Sequence, residues 1–314
     1  DMGTDESVRK FGMDLRYRVL PRCFGQYRVC GETIRSAEIE QVCVATNSLS
    51  YEAYIECRRL HLMVSIFYND AVFGGLLKLF RALGVSVFRW LEILRDTRYE
   101  GDLAGLIARF EDDTRNELWA ERETLAQLIQ QDGVIERYID GELGLNLLFT
   151  YKSIAMTRHV SELEVLARRA AHELLEEVGQ DAGKILDFVD DVLRFDSARM
   201  TNLFDETEAP VRRVLRHDID AFLGSDGQAA LSDFRLPGAR TVEFLMNDDQ
   251  RAVLERGLTL FGDDDAGIGR ILSKFHIARF LRRPARSARV GPHETTDATL
   301  GAEHFAPQIN FHDA

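Results

Sequence analysis

The stretch "NSLSYEAYIECRRLHLMVSIFYNDAVF", residues 47–73, holds the side chains best spaced to do chemistry. At 100° per residue, Tyr54, Cys57, Arg58, His61 and Ser65 fall on one strip of a helix. Leu60, Met63, Val64, Ile66 and Phe67 cover most of the remaining circumference of its second half. Arg58 lies angularly between Tyr51 and Tyr54, where a buried charge is costly unless it is paired. Two readings stay open. The strip is solvated at the end of a bundle, with Arg58 reaching out to water. Alternatively, Arg58, His61 and Ser65 face a cleft and meet a carboxylate or a phosphate, which makes these three the substrate-facing candidates. No catalytic residue is assigned.

Other constellations offer less. Asp187, Asp190, Asp191 and Asp196 repeat carboxylates at helical spacing, but no Glu-x-x-His motif accompanies them as a di-iron site requires. They read as a solvated acidic face, and no metal ligand is assigned. Cys23, Cys30, Cys43 and Cys57 lack the close pairs of a zinc site and the clustered thiolates of an iron–sulfur site, so they are expected to be reduced, structurally unremarkable thiols. No P-loop, G-x-G-x-x-G turn or G-x-S-x-G elbow occurs.

These residues need elements to position them. Residues 15–46 contain short β-branched and aromatic runs divided by Gly and Pro, which predicts three strands. From Ser50, a natural N-cap, the pattern turns helical. Helices are expected at about 51–68, 71–83, 85–96, 102–131, 133–157, 160–178, 181–204 and 208–223. A strand follows within 235–246, then two more helices. The fold class is mainly α: a small N-terminal β segment, residues 1–49, precedes a helical region, 50–284. Residues 285–314 are polar and aperiodic and read as a disordered or loosely packed tail.

The chain has 314 residues, with 45% hydrophobic and 29% charged, an ordinary globular mixture. Its net charge of −13 disfavours general nucleic-acid binding. The one basic run carries Arg270, Lys274, Arg279, Arg282, Arg283, Arg286 and Arg289, and is expected to offset a helix dipole and run into the tail. No apolar run approaches the roughly 20 residues that span a bilayer, and no signal segment opens the chain. A cytoplasmic protein without nucleic-acid or membrane partners is expected.

The phrases "FGMDLRYRVLPRCFGQYRVCGE" and "EIEQVCVATNSLSYEAYIECRRLHLMVSIFYNDAVF" resemble the C-terminal part of cobalamin-binding-domain-containing radical S-adenosylmethionine proteins. So do "DGELGLNLLFTYKSIA" and "GIGRILSKFHIARFLRR". In that family a cobalamin domain and a radical barrel come first. The resemblance implies that residues 1–49 are the remnant of a β/α barrel end and that the chain is a fragment. It further implies that the parent enzyme uses S-adenosylmethionine, a 4Fe–4S cluster and cobalamin for methyl transfer or rearrangement on a small metabolite. The family's C-x₃-C-x₂-C run is absent here, so no cluster ligand or other cofactor-binding residue is carried over. On this reading the chain closes the barrel and shapes the substrate entrance. Its partners are the missing N-terminal domains and a small-molecule substrate. The alternative is a stand-alone helical interaction module without enzymatic activity.

Overall fold

A computed structural model describes residues 3–179, 182–204, 209–226 and 229–285. About 59% of what it describes is helical and 19% is strand. The mainly α class with a small N-terminal β segment is what the chain adopts. The tail expected at 285–314 lies, from 286 onward, outside the described residues, as do Arg286 and Arg289.

The β segment differs from expectation in detail. After a short helix α1 (Asp5–Phe11), two long strands, β1 (Asp14–Val29) and β2 (Glu32–Ala45), form one antiparallel hairpin in place of three short strands. Cys30 and Gly31 turn it at φ +52° and +90°, the doubly left-handed geometry that suits the twist of a tight hairpin. The Pro21 that reads as a strand break lies instead inside a bulge. Register runs Val19↔Ile39 and then Phe24↔Ala37, so residues 20–23 loop out against Glu38 alone, with Arg22 at φ +67°.

The helices begin with α2 (Tyr51–Val64), capped by Ser50 as its sequence implies. It runs into a π-helical turn, Ser65–Asn69, and then α3 (Gly74–Leu83), which ends on Gly84 at φ +67°. Next come α4 (Val87–Asp96) and α5 (Gly101–Asn116). The single helix expected over 102–131 is broken at 117–121, because Trp119 leaves the helix to exchange two backbone hydrogen bonds with Tyr17 of β1, at 2.8 and 2.7 Å. Helices α6 (Arg122–Ile129) and α7 (Val134–Ile139) follow. A loop with left-handed Gly141 and Gly144 then separates α7 from α8 (Leu147–Arg158), where one helix had been expected over 133–157. Two long helices, α9 (Val160–Glu177) and α10 (Ala182–Met200), complete the bundle.

The helix expected at 208–223 is a correction. Val211, Val214 and Leu215 belong to β3 (Val211–His217), paired antiparallel with β4 (Arg235–Leu245), and only α11 (Ile219–Gly224) is helical. Local propensity yields here to the ladder that β4 offers. A two-residue β5 (Arg283–Pro284) extends that sheet on β4, after α12 (Asp248–Phe261) and α13 (Asp265–Lys274).

One large core runs from α2 to α13, with Phe67 and Phe80 set edge-on to fully buried Trp90. A second, small core joins Val19 of the hairpin to Leu125, Ile129, Val134, Ile135 and Tyr138. The hairpin is thus packed on α6 and α7, and Arg35 adds ion pairs to Asp132 and Glu136 at 3.0 and 3.4 Å.

The acidic repeat on α10 is solvated only in part, at Asp187 and Asp190. Asp191 and Asp196 are fully buried. Asp191 accepts from the Arg216 and His217 backbone N–H groups (2.6 and 3.1 Å), His217 Nδ1 (2.9 Å) and Arg194 (2.9 Å), which ties β3 to α10. Asp196 accepts from the backbone N–H groups of Gly75 and Leu76, at 3.3 and 3.1 Å, and so caps the start of α3 from across the core. Asp187 pairs with Arg216, and Asp190 pairs with Arg168. The basic run is corrected in the same way at Arg282. Its guanidinium is buried and donates to the carbonyls of Thr201, Asn202 and Ala209 just beyond α10.

Burial raises the Asp196 carboxyl from an ordinary 3.8 to about 7. The folded chain therefore binds this proton more tightly than the unfolded chain. The resulting stabilisation is complete below about pH 4 and is lost as pH rises to about 7. Urea unfolding from pH 4 to 8 should show this loss in the native chain and not in Asp196→Asn. Asp196→Ala strands two buried amides and should cost about 2–4 kcal/mol. Equal pH dependence in native and Asp196→Asn chains would refute the assignment.

Candidate functional site

Arg58, His61 and Ser65 do lie along α2 and its π-helical extension, but they meet different surroundings. Ser65 is 8% exposed and opens the π turn. His61 keeps an exposed edge, while partial burial and the nearby Arg58 charge lower its pKa. Arg58 is half-buried against the ring of Phe110, 5.9 Å from its centroid. Its Nε is buried and has no hydrogen-bond partner among the described residues. Burial lowers its pKa, partly opposed by Tyr54 and Glu117.

Around Arg58 the hairpin, α2 and the end of α5 form a polar seam. Arg18 of β1 bridges Glu40 of β2 at 2.6 Å and Glu117 at 2.5 Å. The two carboxylates that Arg58 senses are therefore already held by Arg18. Burial raises the pKa of Glu117 in spite of Arg18. Tyr51 stacks on Tyr54 with ring centroids 6.2 Å apart, and Arg16 lies over Tyr51. The Tyr51 hydroxyl is a second buried polar atom without a partner among the described residues. The seam is thus neither fully solvated nor fully satisfied. Its charges balance in number, but both carboxylates are bonded to Arg18 and Arg58 Nε is left without a partner.

Two further sites were not singled out in the sequence. The first is a cleft of about 280 Å³ beneath the β1 bulge. Arg22 and Phe24 reach it from the hairpin, Tyr138 from α7, Asn146, Phe149 and Thr150 from the start of α8, and Arg270 from α13. Glycines make its shape possible. At Gly144 a Cβ would come within 2.5 Å of the Tyr138 ring and 2.9 Å of Phe24, and at Gly141 it would sit 3.5 Å from the Arg270 guanidinium.

The second site lies on the other side of Phe149, in a cleft of about 230 Å³. The π turn delivers Asp70 there, and Lys152 Nζ donates to its carboxylate at 2.7 Å, with His276 Nε2 at 3.5 Å. The sequence carried a signal for both sites. The paired glycines of "DGELG" and the run "FYND" fall within stretches already quoted for their resemblance.

The cysteines do not suit an iron–sulfur cluster. Cys30 and Cys43 lie near opposite ends of β2, roughly 40 Å apart at the rise of a strand. Among the described residues, no group of three or more His, Cys, Asp or Glu side chains is placed to hold a metal ion. No single described helix is long and apolar enough to cross a membrane. The one bent pair that approaches the length, Tyr51–Asn69 with Gly74–Leu83, buries its apolar residues in the main core.

Replacing Arg58 by Met keeps the length of the side chain and its packing on Phe110 while removing a desolvated charge. Buried charges replaced by well-packed apolar groups are commonly neutral or stabilising. Arg58→Met should therefore hold stability to within about 1 kcal/mol, whereas Glu117→Ala, which leaves Arg18 with Glu40 as its one carboxylate partner, should cost about 2 kcal/mol. Urea denaturation of both variants and the double variant checks this. A loss as large for Arg58→Met as for Glu117→Ala would make Arg58 a structural residue. No family model matches the chain, and no curated protein matches it.

Proposed function

We propose that this chain is the C-terminal portion of a radical S-adenosylmethionine enzyme with a cobalamin-binding domain. On this reading it is not catalytic alone. It closes the barrel and shapes the entrance through which a small metabolite reaches the radical chemistry. The observation that carries the proposal is spatial. The four stretches on which the resemblance rests are scattered from residue 11 to residue 283, yet they meet around Phe149. "PRCFG", "DGELGLNLLFT" and "GIGR" line one cleft, and "FYND", "TYKS" and "SKFH" line the other.

The seam at Arg58 fits the same reading. A guanidinium half withdrawn from water, with its nearest carboxylates taken by Arg18, is suited to a carboxylate or phosphate supplied from the barrel or the substrate. The hairpin is antiparallel, so it would pack on the end of a parallel barrel as an added ribbon and not as two of its strands. Its tip displays Tyr27, Val29 and Ile34, each about half exposed, a surface suited to a missing domain. The four unpaired cysteines suit a reducing compartment, and the cytoplasm is the setting proposed. The stand-alone interaction module remains the second reading, favoured by the continuous core from α2 to α13.

The reading requires a C-x₃-C-x₂-C triplet upstream in the same polypeptide. That longer polypeptide, reconstituted anaerobically with iron, sulfide and cobalamin, should consume S-adenosylmethionine under reducing conditions, and this chain alone should not. Arg58→Met in the longer polypeptide should raise KM or lower turnover at least tenfold without loss of the cluster spectrum. A native polypeptide lacking the triplet and inert toward S-adenosylmethionine would refute the proposal in favour of the interaction module.

A further inference from the structure

The cleft beneath the β1 bulge has the composition of a small-molecule site in its own right. We propose that it binds a compact anionic metabolite, one carboxylate or phosphate attached to a flat apolar body. The anion would sit between Arg22 and Arg270, with the body against Phe24, Tyr138 and Phe149. Every residue of this site belongs to the described chain, so the proposal does not depend on the parent chemistry.

Four observations support it. First, Arg22 and Arg270 come from segments about 250 residues apart and line the same cleft, and neither guanidinium has an ion pair or hydrogen bond among the described residues. The hairpin's Arg16, Arg18 and Arg35, by contrast, are all engaged by carboxylates. Second, Arg22 is held at the cleft by a bulge and by a backbone at φ +67°, a conformation that costs a non-glycine residue energy and clusters at functional sites. Third, the walls are aromatic and fixed. Phe24 and Tyr138 pack with centroids 5.2 Å apart, and the absent Gly144 side chain is what lets the loop close on them. Fourth, the volume of about 280 Å³ is near the lower end of small-molecule sites, which run from about 300 to 1,000 Å³, and so suits a ligand of about one ring.

The polar groups agree in sign. The cleft opens on the start of α8, where the helix dipole favours an anion. The Asn146 carbonyl oxygen is used in capping Phe149 N–H, which leaves its amide NH₂ to donate. The Thr150 hydroxyl is also on the wall. The one carboxylate on the rim, Asp265, faces Arg158 at 3.4 Å, so its charge is met from outside the cleft. In a chain of net charge −13, this places a local cationic site in an acidic surround, which selects against chance anion binding elsewhere.

The test uses the chain as it stands, with titration calorimetry at low salt. Phenyl phosphate and benzoate represent the two headgroups, benzyl alcohol the neutral body, inorganic phosphate the bare anion, and benzylamine the opposite charge. At least one of the two aryl anions should bind, about tenfold or more tighter than benzyl alcohol and inorganic phosphate. Arg22→Gln and Arg270→Gln should each weaken it by about tenfold, and the double variant should abolish it. Both side chains are exposed, so neither change threatens the fold, and unchanged urea midpoints verify this. Arg28→Gln, on the same hairpin but away from the cleft, should leave affinity unchanged. Binding that survives the double variant, equal loss in Arg28→Gln, preference for benzylamine, or no binding of either aryl anion would each overturn the proposal.

Discussion

The fold depends on two carboxylates placed where water cannot reach them. Asp191 and Asp196 lie five residues apart on α10, and each must find donors inside the protein or remain uncompensated. Asp191 takes the backbone of β3 and the His217 ring, and Asp196 takes the first amides of α3. The helix is thereby fixed to a sheet on one side and to a distant helix start on the other. Arg282 completes the arrangement by collecting carbonyls at the exit of α10. Apolar packing would tolerate several sliding arrangements of these elements, whereas buried polar groups with directed hydrogen bonds tolerate few.

Departures from regular structure make the clefts. The π turn after α2 shifts the chain by part of a turn and carries Asp70 to Lys152. The bulge in β1 bends the strand and aims Arg22 out of the ladder. The glycine loop before α8 removes side chains where Tyr138, Phe24 and Arg270 must pass close to the backbone. Each device interrupts an element that would otherwise continue. All three interruptions open toward Phe149.

What the sequence made legible follows from range. The Ser50 cap, the Gly84 stop and the apolar periodicity of α2 through α4 are local signals, and the structure keeps them. The break at Trp119 depends on Tyr17, about a hundred residues earlier, and nothing within 102–131 announces it. In the same way "VRRVLRH" reads as helix alone and becomes a strand because β4 lies beside it. The acidic repeat on α10 misled for a related reason. Spacing reveals that carboxylates share a face, but only tertiary partners decide whether that face meets water or amides. Arg58, His61 and Ser65 follow one another along α2 and its π-helical extension, yet the groups around Arg58, from Arg18 to Glu117, arrive from distant segments.

The bridge between Tyr17 and Trp119 also bears on how the molecule opens. It closes a loop of about a hundred residues that holds β2 and the helical run from α2 to α5, and beside it stand the small core around Val19 and Tyr138 and the ion pairs of Arg18 and Arg35. Closing so long a loop costs entropy that a few contacts barely recover. The large core can therefore assemble from contacts nearer in sequence while the hairpin is still detached. In the native state the same hierarchy would run in reverse, so the hairpin with α6 and α7 is expected to loosen before the large core does. The wall of the cleft that carries Arg22 and Phe24 belongs to that unit, and the wall that carries Arg270 does not. A molecule held between them would then act as a clasp, coupling the less stable unit to the more stable one.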